Sequence, residues 1–555
     1  SDYFTGWLDE IVAYNIALSP EQIEALYNNR TDLIVSNETV LGETWNATIT
    51  PNDGTADGLT KWSNALTILP DPTAPTQGTP ILNSSSGTNT TSENITVYNI
   101  STEDVNGDSI KNIINWYRND TSITLLNMPF EADNASNASD YSGFGNNISG
   151  FQGAPTWNAT GGHDGKGAFL FDGDDCIVTA LDLIPISQPD LTICGWAYPT
   201  TEGYLREFVG TDQGGWDLAI STVSGFWVLA DGTQYWASTV PVYTNSWQHI
   251  CAVWETGNQL IYLNGSLGQS RGSGSSHDDT DYNLSIGCNP SFGQYWKGLI
   301  DDVMIFNESL TAAQIEALYS GTDTIVSAQL NKGDTWNATI TANDGKTDGW
   351  KNWSNSLLIL NSPPTQGTPI LNSTFDTNST NENITVYNVS TTDIDGDSIK
   401  NIYNWYLDGE SYTVLNMPFE ADGDQNATDY SSYGNDGTAT NGVVWNATAG
   451  YDGKGAYEFD GDDDYIDVGT LGNFGSWMNQ FTISMWIKTD TTGDWSTLFK
   501  TVNDGSTTLI GVDLNRKNDY TYENATTLFD IRGQGITNLR GTINVSTLYD
   551  NTWHH

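Results

Sequence analysis

Positive charge is scarce in this sequence. Lysine and arginine number 19 against 69 aspartates and glutamates, a formal net charge of −50 over 555 residues. Without a basic footprint nothing displaces counterions from a phosphate backbone, which excludes nucleic acid as a partner. Nothing holds the chain to an anionic bilayer either. Long apolar runs are missing: no stretch of about eighteen apolar residues occurs, so this segment carries no membrane-inserting helix. Five histidines, His163, His249, His277, His554 and His555, show no metal-ligand spacing, and no nucleophile elbow, phosphate loop or zinc helix is present. Cysteine is limited to Cys176, Cys194, Cys251 and Cys288. None forms a CxxC pair, which argues against zinc, and the four allow three disulfide pairings.

What remains is a folded composition, because 37% of residues are apolar and only 16% charged, unlike an acidic disordered tail. Short alternating runs bounded by Gly, Asn and Asp recur without sustained helical periodicity, the pattern of an all-β protein. Several domains are expected, since one core rarely serves beyond roughly 250–300 residues. The excess of carboxylates favours solubility, repulsion between neighbours and binding of divalent cations.

One block, 126–319, reads as a complete globular unit. It carries DYSGFGNN (140–147), GKGAFLFDGDDCI (165–177), LTICGWAY (191–198), NSWQHICAVW (245–254), IYLNG (261–265) and GLIDDVMIF (298–306) followed by a short helix. In that order the marks resemble a laminin-G-like (concanavalin A-like) jelly roll. Residues 2–27 repeat its closing strand and helix, with Ser19 as N-cap, Pro20 at the first helical position and Ile23, Leu26 and Tyr27 on one face. A second opening follows from 415, with YDGKGAYEFDGDDDYIDV at 451–468.

The material between copies repeats as well. The segment 43–69 recurs at 334–360, and Trp45 and Trp336 set a period of about 290 residues, the scale of a multidomain cassette. The segments 93–120 and 382–409 resemble the front half of an immunoglobulin-like domain of archaeal and bacterial envelope proteins, whose back half carries a GDTW strand. Here that back half returns about two hundred residues later, so the jelly roll reads as a guest in a host loop, leaving after Trp116-Tyr117 and returning before Thr335-Trp336.

The fold class expected is therefore all-β, with concanavalin A-like jelly rolls alternating with immunoglobulin-like β-sandwiches and one short helix closing each jelly roll. The expected parts are a jelly-roll end (1–27), a host back half (28–69), a linker (70–80), a host front half (81–122), the inserted jelly roll (123–320), the same host's back half (321–360), a linker (361–369), the next front half (370–411) and part of a second jelly roll (412–555). Both ends fall inside a domain on this reading, as in a window on a longer array.

Candidate sites follow. The resemblance favours the disulfides Cys176–Cys288 and Cys194–Cys251, each joining strands of one jelly roll, with buried thiols as the alternative. The turn DIDGDSI offers Asp393, Asp395 and Asp397 at alternating positions, and its copy offers Asp104, Asn106 and Asp108; such oxygens suit calcium, and a solvated turn is the plain alternative. The resemblance also implies a structural calcium on the jelly-roll rim, held by Glu131, Asp140, Asn146 and Asp302 and, in the second copy, by Glu420, Asp429 and Asn435. Trp216, Phe226, Trp227, Tyr235 and Trp236 crowd one hairpin region, where they would stack on sugar rings or simply pack a sheet. Asn-x-Ser/Thr sequons recur about twenty-five times, above chance for this composition. They include Asn46, Asn83, Asn94, Asn99, Asn158, Asn264, Asn337, Asn383, Asn388 and Asn446, and favour N-glycosylation over a bare Asn/Thr-rich surface. The reading is an extracellular, non-enzymatic surface segment: a glycan-coated, calcium-rigidified stalk or filament whose partners are copies of itself, with a glycan-binding module as the alternative and an envelope glycosidase least favoured.

Overall fold

The computed structural model describes residues 4–39, 43–68, 74–105, 107–131, 138–148, 150–178, 190–201, 206–211, 216–221, 225–231, 234–272, 284–471, 481–489, 496–502, 508–514, 526–533, 536–544 and 550–555. The protein divides into two compact units, residues 1–398 and 399–555.

β-structure dominates both units, as alternating residues require. Two α-helices occur among the described residues, Pro20–Tyr27 and Ala312–Tyr319. Each starts where Ser19 or Thr311 accepts a backbone N–H through its side chain, from Gln22 and Gln314 respectively.

The jelly roll of the first unit consists of two antiparallel sheets. One runs Gly150–Gln152, Cys176–Val178, Leu284–Ile286, Arg206–Thr211, Trp216–Ile220, Phe226–Asp231, Gln234–Pro241. The other runs Thr156–Asn158, Ala168–Asp172, Lys297–Phe306, Leu191–Pro199, Gln248–Glu255, Asn258–Leu263, Ser266–Gly272. Phe130, Phe169, Phe208, Trp227, Trp254 and Trp296 fill the space between them. The first strand, Thr124–Met128, pairs with the last, Lys297–Phe306, so the two ends of the jelly roll emerge side by side. Cys176–Cys288 and Cys194–Cys251 are both disulfide-bonded.

The strands flanking this body in sequence form a second, smaller sandwich. Lys111–Arg118 pairs antiparallel with Thr335–Asn343, Trp116 opposite Ala338 and Arg118 opposite Trp336. A three-stranded sheet of Ile81–Ser84, Ile95–Tyr98 and Thr324–Ile325 supplies Leu82, Ile95, Val97 and Ile325 to the same core. Trp116 and Trp336 meet edge-on with ring centroids 6.3 Å apart, and Trp336 is fully buried. Burying a ring of that size removes about 150–250 Å² from water, roughly 4–6 kcal/mol at ~25 cal/mol/Å². That core is continuous with the jelly roll: Cys194, Cys251, Val253, Tyr262 and Phe306 on the outer face of one jelly-roll sheet pack with Trp116, Trp336 and the helix residue Ile315 in one apolar cluster.

The earlier copy of these sequences makes a contrast. Ile23, whose counterpart Ile315 is fully buried, is exposed on the Pro20–Tyr27 helix. Trp45 pairs opposite Leu66 in a two-stranded ladder and is half-buried, where Trp336 is enclosed. The helix and the ladder form here without the enclosure that Ile315 and Trp336 find in the later copy.

Candidate functional site

The seam between jelly roll and host is built on a lysine. Lys111 opens the host strand, and its ammonium lies 2.9 Å from Glu131 Oε1, 3.0 Å from Asp164 Oδ2 and 2.9 Å from Asp302 Oδ1. All three acids belong to the jelly roll. Burial acts to lower Lys111, but the charges of Asp302, Asp301, Glu131 and Asp164 outweigh it and raise the lysine, so it stays charged. Burial raises Glu131 despite the lysine. Burial pushes Asp164 the same way, yet there Lys111 wins and the net shift is downward.

Two backbone devices aim the acids. Phe130, just before Glu131, takes φ +57°, an outlying conformation for a bulky residue. Its carbonyl accepts from Trp157 Nε1 at 2.8 Å, and a Cβ at Gly167 would meet that carbonyl oxygen at 2.1 Å. Where Leu191–Pro199 pairs with the closing strand, the register shifts between Cys194 and Trp196, opposite Met304 and Asp301, and Asp302 sits at φ +46°. Successive strand residues normally face opposite ways. The bulge cancels that alternation, and Asp301 and Asp302 both reach the seam.

Asp301 is fully buried and accepts from the backbone N–H of His163 at 3.0 Å, with His163 Nδ1 3.1 Å away. Burial, then the charge of Asp302, lifts Asp301 to about 7 against the pull of His163 and Lys111. Burial would lower His163, but the Asp301 hydrogen bond and the charges of Asp302, Asp301 and Asp164 raise it. The imidazole stacks on Trp196 at 4.0 Å. Behind Trp196, burial holds His249 neutral down to about 3.

The second unit repeats this architecture. Lys400 Nζ lies 2.5 Å from Glu420 and 2.6 Å from Asp452. Phe419 has φ +62°, its carbonyl accepts from Trp445 Nε1, and Tyr451 stacks on Trp486 at 4.0 Å, as His163 does on Trp196.

The rim residues expected to share a cation therefore do not converge. Glu131 and Asp302 meet, but on an ammonium supplied by the host. Asp140 is committed to its own loop, accepting from the N–H groups of Asn127, Ser142 and Asn146, while Asn146 donates to Leu125 O. Glu420 is likewise on Lys400, and Asp429 and Asn435 repeat the loop pattern.

The acidic turns do gather oxygens. Asp104 and Asp108 come together with Asp344, which sequence reasoning missed, and Asp393, Asp395 and Asp397 form a second cluster; Asn106 lies outside the described residues. Protein groups already engage both: Lys346 Nζ is 2.6 Å from Asp108, Lys332 Nζ 2.6 Å from Asp397, and Asp395 accepts from Ser362 N.

Trp227 requires a correction: it is fully buried in the jelly-roll core, stacked on Trp296, and is closed to a sugar ring. Trp236 is half-buried against the same core. Trp216 and Tyr235 lie on strands of the same sheet, and their side chains fall outside the described residues. Among the sequons, Asn46, Asn83, Asn94, Asn158, Asn383, Asn388 and Asn446 are exposed. Asn99, Asn264 and Asn337 are half-buried, and Asn337 Oδ1 itself is buried.

Lys111 was legible in principle. With so few cations in the chain, a lysine standing at the same place in both DSIKNI segments is a signal of its own.

The jelly roll is concanavalin A-like: residues 171–316 match the concanavalin A-like lectin/glucanases superfamily. No curated protein matches the chain. Among solved structures, the chain is similar to domain 4 of AbnA, a GH43 extracellular arabinanase from Geobacillus stearothermophilus in complex with arabinotriose, at 18% identity over 35% of this chain and 98% of that one, with a TM-score of 0.30. It is also similar to the heptameric SAP-like pentraxin of Limulus polyphemus (20% identity, 24% and 70% covered, TM-score 0.20) and to Trypanosoma rangeli sialidase (13% identity, 35% and 32% covered, TM-score 0.27).

Proposed function

We propose that this chain is a structural and adhesive repeat segment of an extracellular surface stalk or filament, in which immunoglobulin-like hosts carry jelly-roll guests as stiff cassettes. The observation that carries the reading is the apolar cluster common to host and guest, from Leu82 and Trp336 to Cys251 and Phe306. A guest on a floppy tether would share no core with its host; a spacer that transmits position needs one. The charged seam at Lys111 and Lys400 supports it in both copies. The two disulfides fit an oxidising, extracellular setting. Calcium at the Asp393 and Asp104 clusters and glycans on the exposed sequons would stiffen and shield such an array. Electron microscopy of native material tests the reading: rods with a regular cassette repeat are expected, and isolated flexible monomers would overturn it.

The superfamily match at 171–316 favours a second reading, carbohydrate binding by the jelly roll. A glycan array separates the two, since a spacer gives no reproducible glycan signal.

A further inference from the structure

The two strands that join the host sandwich at Trp116 and Trp336 each have a second copy in this chain. TWNATIT stands at 44–50 as at 335–341, and KNIYNWY at 400–406 differs from 111–117 at one position. The early back half is already folded in the register of the later one. Trp45 pairs opposite Leu66 and Thr48 opposite Trp62, as Trp336 pairs opposite Leu357 and Thr339 opposite Trp353. What it lacks among the described residues is the neighbour that Lys111–Arg118 gives to Thr335–Asn343. The late front half lacks the converse neighbour: Tyr406–Leu407 pairs with Glu410–Ser411, and residues 400–405 stand in no described ladder. The side chains show the consequence. Ile49 is 74% exposed where Ile340 is 0%, and Trp405 is 37% exposed where Trp116 is 8%. Each half presents an open strand edge whose complement is the other.

A second observation is electrostatic. Lys111 meets three acids, Glu131, Asp164 and Asp302, whereas Lys400 meets the counterparts of two, Glu420 and Asp452, among the described residues. The third acid comes from a closing strand, and residues 6–14 repeat that strand. There Glu10 holds the place of Asp302, at φ +48° against +46°. Its N–H donates to Asp9 Oδ1 as that of Asp302 does to Asp301 Oδ1. The acid that Lys400 lacks is therefore preformed, just ahead of the early back half as Asp302 is ahead of the late one.

We propose that copies of this chain join head to tail, residues 44–52 of one pairing antiparallel with 400–407 of the next while Glu10 of the first seats on Lys400 of the second. The proposal rests on the stalk reading and adds to it the partner and the joint. The ladder inside the host sets the register: Trp45 opposite Leu407, Ala47 opposite Trp405, Ile49 opposite Tyr403 and Asn52 opposite Lys400. Pro51, in place of Ala342, removes one donor near the end of that ladder. Strand addition of this kind draws its affinity from main-chain hydrogen bonds and its selectivity from alternate side chains. The two surfaces differ, so the contact is heterologous and propagates.

The test uses the full chain, whose four cysteines are all in disulfides. About 0.15 M salt, with a Debye length of about 8 Å, confines the repulsion between copies. I49C and Y403C chains, made separately and mixed under mild oxidation, are expected to cross-link into a dimer. I49C with L407C, out of register, is expected not to. E10K is expected to weaken association about tenfold or more by light scattering, as loss of a charge pair across an interface does. Glu10, Ile49, Tyr403 and Leu407 are all exposed in the single chain, so these variants leave its folding intact. Absence of the I49C–Y403C product, equal yield from both cysteine pairs, association indifferent to E10K, or a disulfide in I49C/Y403C confined to monomers would each overturn the joint. Rods with a regular cassette repeat in native material would still stand in that event, because the shared core within 81–360 does not depend on it.

Discussion

Replacing Lys111 with methionine keeps most of the side-chain volume and removes one charge. The lysine is 18% exposed and Glu131 is 0% exposed, so the seam is a buried ion cluster and not a surface pair. Removing one partner of such a cluster costs about 3–5 kcal/mol, because the charge left behind has no counterion. For a body of this size that is on the order of a 10 °C fall in Tm. The pH dependence discriminates further. In wild type the raised Lys111 contributes its stabilisation fully below the ordinary lysine value, so its own share is flat between about pH 5 and pH 8. Without the ammonium, Glu131 and Asp301, both already raised, rise further. An acid whose folded value is raised stabilises the fold at low pH and loses that contribution as pH climbs through the folded value. The Tm gap between wild type and K111M is therefore expected to widen from pH 5 to pH 8, measured by differential scanning calorimetry, with K111R narrowing it. A gap below about 0.5 kcal/mol at pH 8, the range of ordinary surface substitutions, or one independent of pH, would refute the buried-cluster reasoning.

Asp301, lifted to about 7, stabilises the protein below its ordinary carboxylate range and ceases to as pH rises through about 7; D301N is expected to flatten that part of the Tm-versus-pH curve. Gly167→Ala drives a Cβ onto the Phe130 carbonyl, and a loss of about 1–3 kcal/mol or more in urea titration is expected from a clash that only backbone movement relieves. Opening Cys194–Cys251, which closes 57 residues of sequence, is expected to cost about 2–4 kcal/mol without abolishing the fold, read as a lower Tm with retained far-UV signal in C194S/C251A. Glycopeptide mass spectrometry of native material is expected to find glycan on exposed Asn158 and Asn446 and none on half-buried Asn337.

Pattern and repetition made the β-class readable, and the jelly-roll marks placed strands from Ala168–Asp172 to Lys297–Phe306 because each combined alternation with a turn residue. The repeats made Trp116 and Trp336 conspicuous, and the two do share a core. The sites were harder. Trp227 looked like a sugar platform because a tryptophan on a half-buried sheet has two faces to choose between, and composition does not say which is covered. Glu131 and Asp302 looked like cation ligands and are, but the cation is an ammonium from another body, which no local motif encodes. Asp344 reaches its partners through tertiary pairing alone. The bulge that re-aims Asp302 inserts one residue into a ladder, and its position is fixed by the opposite strand.

Comparing the two copies position by position separates what docking needs from what it does not. Lys111 and Lys400, Glu131 and Glu420, Asp164 and Asp452, and the outlying Phe130 and Phe419 recur with the same contacts. The ring that stacks on Trp196 or Trp486 changes from imidazole to phenol and keeps its geometry. On the far sheet the residues change: Glu207, Gly210 and Asp217 give way to Thr497, Lys500 and Gly511. Strain costing about 1–3 kcal/mol at a single residue persists only where the surroundings enforce it, and here it persists at the residue that delivers an acid to the host lysine. A module whose work lay on its far sheet would hold that sheet fixed and let the attachment drift. These copies do the reverse, as the proposed role of a repeat joined rigidly to its neighbours requires.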